Sequence, residues 1–399
     1  METARRIYPL DPRELSEEEL AVVFAMTSRN PQPFDQIANL VTSEKAADFH
    51  ERWVLNYGHA SVAEHAIIHM AVENISRLAC DTLEDNRLAS YTEKSSRYQI
   101  LSDGSFHIPA ELEEHSLRPT YISTCDSLFE AYNEEVNGLM AYLEQARPKT
   151  PNERDSAYTM RLRREATDVC RFLLPAATLT NVGVTLNARS MEHAVRKLLS
   201  SDLIEEIEVA EDLKNQGKAI TPTLIKYADR NDYLVITRSV LEKMAEVGTI
   251  SDPYTECRAE LVHHDLLAEA KLVTALLYRV SNVSYLDVWN RVEGMDQAQR
   301  EQVIHHALND LGTHDIPVRE LETVDYAFDF VMDYGAYREF KRHRMQTYIA
   351  QPATVELGYV VPQLIMEAGL EGHFRKAMET AENGYRVLSE AFPRVGEYL

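Results

Sequence analysis

Two arginine-rich stretches hold the side chains best suited to chemistry. One runs Asp85-Asn86-Arg87-Leu88-Ala89-Ser90-Tyr91-Thr92-Glu93-Lys94-Ser95-Ser96-Arg97-Tyr98. The other is Lys341-Arg342-His343-Arg344-Met345, continued by Gln346-Thr347-Tyr348-Ile349-Ala350-Gln351-Pro352. Arginine's planar fork makes bidentate, charge-assisted hydrogen bonds to phosphate, so arginines converging here would suit a small phosphate ligand. Taken alone, Arg342-His343-Arg344 reads as a solvated basic triplet. Glu64-His65 and His69 are spaced like metal ligands. On a strand over 66–73, however, the two histidines stand about 13 Å apart at ~3.3 Å per residue and cannot share one ion, so no metal is expected. Ser95 lacks an evident base for nucleophilic work and suits hydrogen bonding or capping. Neither a Gly-x-Gly-x-x-Gly turn nor a Gly-Lys-Ser/Thr phosphate loop is present, which argues against a Rossmann or P-loop enzyme.

The elements that must carry these residues follow from periodicity. Ile68, Met70 and Val72 alternate with His69, Ala71 and Glu73, the period of a strand. After Asn74, residues Ile75, Leu78, Ala79, Thr82 and Leu83 fall on one helical face, predicting a helix that ends near Asn86-Arg87. Far downstream, Phe328, Phe330 and Met332 alternate in the same way, and a short helix is predicted from Gly335 to Arg344. Both regions read histidine, glutamate, strand, helix, arginine motif, beginning at His59 and His314. Phe106-His-Ile-Pro109 and Tyr359-Val-Val-Pro362 continue the parallel, each before a long helical pattern. The pattern predicts two tandem modules, 1–246 and 247–399, divided near Gly248 and Ser251-Asp252-Pro253. The second lacks a counterpart of Asn187-Ala188-Arg189-Ser190 and reads as incomplete.

Composition bounds the rest. The chain has 399 residues, enough for two domains, and only 14 glycines, which favours a helix-rich chain. Its net charge of −23 makes it a poor general binder of nucleic-acid backbone. Cys80, Cys125, Cys170 and Cys257 form no knuckle or redox pair and read as free thiols of a reducing cytoplasm. No run of about 18 apolar residues suggests a membrane span, and no signal-like leader is evident, so a soluble cytoplasmic protein is expected. The acidic run Glu205, Glu206, Glu208, Glu211 and Asp212 reads as a solvated helix face, as do His263-His264 and His305-His306.

The order and spacing of five segments resemble the flavin-dependent thymidylate synthase (ThyX) family. These are Gly58-His59-Ala60-Ser61 with Glu64-His65, Ile75-Ser76-Arg77, the stretch through Arg87, Ser90, Ser95, Arg97 and Tyr98, Arg171-Phe-Leu-Leu-Pro175, and Asn187-Ala-Arg189-Ser190. The family's Arg-His-Arg is reduced to Asp85-Asn86-Arg87 in the first half. The second half keeps it as Arg342-His343-Arg344 but has Thr347 and Pro352 where two serines belong. The resemblance covers most of 1–230 and, more faintly, 257–399.

The resemblance implies an α+β, helix-rich fold of tandem ThyX-like modules, each a small antiparallel sheet flanked by long helices. It implies reductive methylation of dUMP to dTMP, with methylenetetrahydrofolate giving the carbon and FAD, reduced by NADPH, giving the hydride. It implies that Ser95, Ser96, Arg97 and Arg189 hold the nucleotide, and that Arg87 and Ser95 stand at the reacting centre. His59, Ser61, Glu64, Arg87, Arg342, His343 and Arg344 would hold FAD, while Arg171 reads as structural. Family sites are assembled from several subunits, so complementary losses in the two halves suggest a homodimer forming a pseudo-tetramer. Asp85 reverses a charge beside a phosphate, unfavourable by several kcal/mol at low effective dielectric, and Thr82 replaces a substrate-side Gln. A non-catalytic or altered flavin and nucleotide binder is one alternative, and a ligand-free helical interaction protein another.

Overall fold

The computed structural model describes residues 6–102, 104–245 and 258–399. Cys257 and the expected boundary near 247 lie outside them. By internal contacts the chain forms two compact units, residues 1–253 with 334–399, and residues 254–333. The segment after Asp333 belongs to the first compact unit.

The first unit is built on a three-stranded antiparallel sheet, β1 (Ile67–Ser76), β2 (Ala89–Glu93) and β3 (Leu179–Asn187), with β3 in the centre. Along β3, Thr180, Val182, Val184 and Leu186 are buried while Asn181, Gly183 and Thr185 face outward, the alternation of a sheet covered on one side. The covered face packs with Ile68, Met191, Val195, Leu198, Ala210 and Leu213, the last five from helices Ala188–Leu199 and Ile204–Ile220. Asn74 adopts φ 58°, and the β1–β3 register shifts between Val72 and Ile75. This bulge is where the period of two fails, so Ile75 is the buried end of the strand and not the start of the helix. Ser76 then caps helix Arg77–Glu84, its Oγ accepting from the Ala79 N–H at 2.9 Å. The helix stops at Glu84, two residues short of the predicted end.

The two long helical patterns form helices Arg118–Ala146 and Glu371–Ala391, which pack together over a second core containing Tyr121, Phe129, Leu139, Phe374 and Leu388. Glycine permits the close approach. A Cβ on Gly384 would stand 2.7 Å from Leu399 and 2.9 Å from Thr124. Helix Tyr334–Phe340 precedes the second of them and ends before the Arg-His-Arg triplet, which lies in the turn after it.

The second unit contains β4 (Arg258–His264) paired antiparallel with β5 (Tyr326–Val331), and helices Ala268–Arg279, Tyr285–Glu293 and Gln297–Leu308. Val273, Val288 and Val292 form its small core. Phe328 and Phe330 do alternate on a strand, but both remain substantially exposed. Helices and small antiparallel sheets together make the fold α+β and helix-rich. Among the described residues no helix is long and apolar enough to cross a membrane.

Candidate functional site

The turn that follows helix Tyr334–Phe340 lies against the turn that precedes β2. Arg344 Nη2 donates to the Ala89 carbonyl at 2.8 Å, with its guanidinium 5.1 Å from the Tyr91 ring centroid. Arg87 Nη2 donates to Thr347 Oγ1 at 2.8 Å, and the Tyr348 hydroxyl donates to Asp85 Oδ1 at 2.6 Å. A small cleft between them is lined by Asp85, Asn86, Arg87, Arg344, Gln346 and Tyr348. The two arginine-rich stretches, some 250 residues apart in sequence, therefore form one surface within one chain.

A buried ion network holds this junction. Arg338 Nη2 donates to both oxygens of Glu93, at 2.5 and 2.6 Å. Lys341 pairs with Asp81 and lies 3.4 Å from Glu84, and the Tyr334 hydroxyl donates to Asp81. Burial opposes the charges on Arg338 and Lys341, but the carboxylates facing them outweigh it and both pKa values are raised. Arg77 is buried beside the network, and its pKa is lowered to about 10 by burial and then by Arg338. Cys80, Glu84 and Glu93 bring ligand-type atoms within 4.8 Å of one another. Lys341 and Arg338 already supply cations there, and burial pushes the Cys80 thiol well up, so the cluster reads as an ion network.

Asp85, the charge-reversed position, is not left bare. Lys197 Nζ donates to its carbonyl at 2.6 Å and lies 3.3 Å from its carboxylate. Thr82 Oγ1 donates to Glu206 at 2.6 Å and so faces the interior. Glu205 and Glu206 are buried, which corrects the solvated-face expectation for this part of the acidic run. Glu205 accepts from the Ser76 N–H at 2.7 Å, the Ser76 hydroxyl at 2.5 Å and the Tyr398 hydroxyl at 2.8 Å. Charge patterning could not reveal these partners, since they come from distant segments.

The nucleotide candidates divide into two places. Ser95, Ser96 and Arg97 follow β2. The Ser95 hydroxyl accepts from the Arg97 N–H at 3.3 Å, and Thr167 Oγ1 donates to the Arg97 carbonyl at 2.8 Å. Arg171 lies beside Arg97, since both approach the Glu339 carboxylate, at 3.6 and 4.0 Å. Arg171, expected to be structural, is ion-paired here and largely buried. Its Asp168 partner at 3.1 Å, one helical turn away, is all that local spacing would suggest. Arg189 stands at the other end of β3, its Nη1 donating to Glu64 Oε1 at 2.5 Å. Lys94 bonds Asn181 across the sheet, so six residues of β3, roughly 20 Å at ~3.4 Å each, separate the two groups within one chain.

With Glu64 and Arg189 come the exposed His59 and Ser61, the first just before and the second within a short helical turn Ala60–His65. The preceding π-helix His50–Asn56 presents Trp53, which is flanked by Arg29 at 4.7 Å and Arg52 at 5.2 Å and lies 6.1 Å from the His59 ring. Arg342 and His343 are exposed, and Arg342 lies 3.1 Å from Glu339.

A family model described as thymidylate synthase complementing protein matches residues 13–223. A UPF0159 protein of Chlamydia muridarum is 33% identical over 373 residues, covering 89% of this chain and 70% of its own. A flavin-dependent thymidylate synthase of Clostridium tetani is 26% identical over 214 residues, covering 53% and 82%. Among solved structures, the flavin-dependent thymidylate synthase ThyX of Helicobacter pylori, complexed with FAD and dUMP, aligns with a TM-score of 0.36 at 15% identity, covering 54% of this chain and 96% of its own. The UMP/dUMP methylase PolB of Streptomyces cacaoi aligns with a TM-score of 0.38 at 17% identity, covering 53% and 89%.

Proposed function

Because the chain belongs to the thymidylate synthase complementing protein family, we propose that it is a flavin-dependent thymidylate synthase-like enzyme. The reaction is reductive methylation of dUMP to dTMP, with methylenetetrahydrofolate and NADPH as co-substrates and FAD as cofactor. The observation that carries this reading is the junction of the two arginine-rich stretches, through Arg87–Thr347, Tyr348–Asp85 and Arg344–Ala89. Each half has lost part of the family pattern, and the losses are complementary where the two stretches meet.

The residues suit the ligands. FAD would bring a pyrophosphate, and the cleft offers Arg87, whose one hydrogen-bonded partner among the described residues is a neutral hydroxyl, beside Arg344. Lys197 and Tyr348 engage Asp85, so its carboxylate opposes an anion less than the bare sequence implies. When bound, the flavin supplies the hydride. The chain's own groups bind and orient: Arg87, His343 and Arg344 at the junction, and His59, Ser61 and Glu64 beside the Trp53 cluster. Ser95, Ser96 and Arg97, joined by Arg171, take the nucleotide. Arg189 stands at the opposite end of β3 from Arg97, so the two act on one ligand more readily from two different chains. This favours a homo-oligomer, consistent with the pseudo-tetramer of a dimer, acting in the cytoplasm on small molecules and not on nucleic acid.

The test is the visible absorbance of the purified protein with and without added FAD and dUMP, followed by NADPH oxidation and dTMP formation. Bound flavin with dUMP-stimulated NADPH oxidation supports the enzyme. Asp85 favours a second reading, a flavin and nucleotide binder without turnover, which would bind both ligands yet oxidise no NADPH. Failure to take up flavin under any condition would remove both.

A further inference from the structure

Glu339 is met by three arginines that come from distant parts of the sequence. Arg97 follows β2, Arg171 ends helix Asp155–Cys170, and Arg342 opens the Arg-His-Arg triplet. Arg97 and Arg171 approach the same carboxylate oxygen, Oε1, at 4.0 and 3.6 Å, and Arg342 approaches Oε2 at 3.1 Å. The first two distances exceed hydrogen-bond length, so these are loose ion pairs. Phosphate oxygens would instead draw N–H donors to about 2.7–2.9 Å in charge-assisted bonds. Glu339 is 37% exposed and Arg342 52%, so the cluster is open to a ligand from solution. One carboxylate is a poor match for three guanidinium groups. With Asp168 on Arg171 counted as a second carboxylate, one positive charge still stands uncompensated.

We propose that Glu339 is a displaceable internal carboxylate that fills an anion cradle formed by Arg97, Arg171 and Arg342, and that the phosphate of a nucleoside monophosphate takes its place. Both halves of the chain then bind one phosphate, and Arg342 serves the nucleotide while Arg344 stays at the β2 edge. Glu339 sets the affinity, because every entering anion must first compete with it. The proposal rests on the nucleotide part of the proposed function and not on flavin or turnover.

The experiment is calorimetric titration of the full-length protein with inorganic phosphate and with dUMP. Glu339→Gln keeps the shape and removes the competitor. Three partly exposed ion pairs at ~0.2–1 kcal/mol each correspond to roughly tenfold tighter binding of both ligands. Arg342→Ala weakens both by a similar factor, while Arg375→Ala, whose partner is Glu371, leaves both unchanged. A purely structural role for Glu339 would give equal or weaker binding in the Gln variant, and that result overturns the proposal. So does phosphate binding that Arg342→Ala leaves intact, or no phosphate binding by any form. Thermal melts of each variant identify misfolding, and Glu339→Ala, expected to tighten binding as well, replaces Glu339→Gln if the latter melts early. If the Gln variant gains affinity but no flavin is taken up, the cradle stands and the enzyme reading falls. If flavin and turnover are present but the gain is absent, the enzyme reading stands and the cradle falls.

Discussion

Replacing Arg338 with Met should be among the most damaging single changes in the first unit. The Arg338 side chain is 12% exposed and its Glu93 partner 7%, so water can do little for either charge once the other is gone. The variant leaves Glu93 buried with one neutral donor among the described residues, Thr180 Oγ1 at 2.9 Å, and with Arg77 as a neighbouring cation. Breaking a buried pair in this way costs about 3–5 kcal/mol, mostly the desolvation of the orphaned charge. In a unit of this size that lowers Tm by roughly 5–15 °C. Glu93→Gln in the same background removes the orphan, so Arg338→Met with Glu93→Gln should recover about 2 kcal/mol or more. Arg338→Lys should fall between, since a point charge cannot span both oxygens as a fork does. Urea unfolding followed by far-UV circular dichroism gives each value and closes the double-mutant cycle. A loss under about 1 kcal/mol in Arg338→Met, or strict additivity in the double variant, would show that the network does not hold the junction.

Four further outcomes are expected. His50 is fully buried, with Nε2 at 2.9 Å from the Glu18 carbonyl and no partner at Nδ1 among the described residues. Burial lowers its pKa, so the unfolded chain binds the proton more readily and stability falls as pH drops below about 6.5; urea midpoints between pH 7.5 and 5.5 should show this slope, and His50→Leu should flatten it. Gly384→Ala should destabilise by about 1–3 kcal/mol, because its Cβ has no room. Gly372→Ala on the same helix meets nothing within 4 Å and should be neutral or stabilising by up to about 1 kcal/mol, with thermal melts separating the two. Burial raises the thiol pKa of Cys80, Cys125 and Cys170, that of Cys125 to about 12, so peptide mapping after iodoacetamide treatment of the native protein should find these three unmodified. Arg97→Ala should weaken dUMP binding by about 1.5–3 kcal/mol, the loss of a charge-assisted contact, and unchanged affinity in a titration would exclude Arg97 from the site.

The parts of the fold readable from sequence were those governed by neighbouring residues. Ile68, Met70 and Val72 announce β1, and the change of period at Asn74 marks a real event, though a bulge and not a helix start. The apolar periodicity after Pro109 and Pro362 announces the two long helices, but nothing local says that they pack on each other. Motif spacing singled out Arg87, Arg97, Arg342 and Arg344, yet which arginine meets which is a matter of long-range packing. Arg189 shows the limit most clearly. Its motif suggests the same ligand as Arg97, while the direction of β3 carries it to the far end of the sheet, beside Glu64. Glu205, Glu206 and Glu339 look like ordinary surface acids in an acidic chain until their partners are known.

The wide sequence separation within the ion network bears on how the protein is made. Glu93 and Arg338 are 245 residues apart, and Asp81 and Lys341 are 260 apart. At about 5–20 residues per second, a ribosome needs roughly 12–50 s to travel from one partner to the other. Even after β3 has completed the sheet, Glu93 on β2 and Asp81 and Glu84 on helix Arg77–Glu84 still lack Arg338 and Lys341. With Arg77 as the early cation beside three carboxylates, the edge around β2 must stay hydrated and open. Helix Tyr334–Phe340 thus acts as a late closure, and the arginine cradle cannot exist on the ribosome before it arrives.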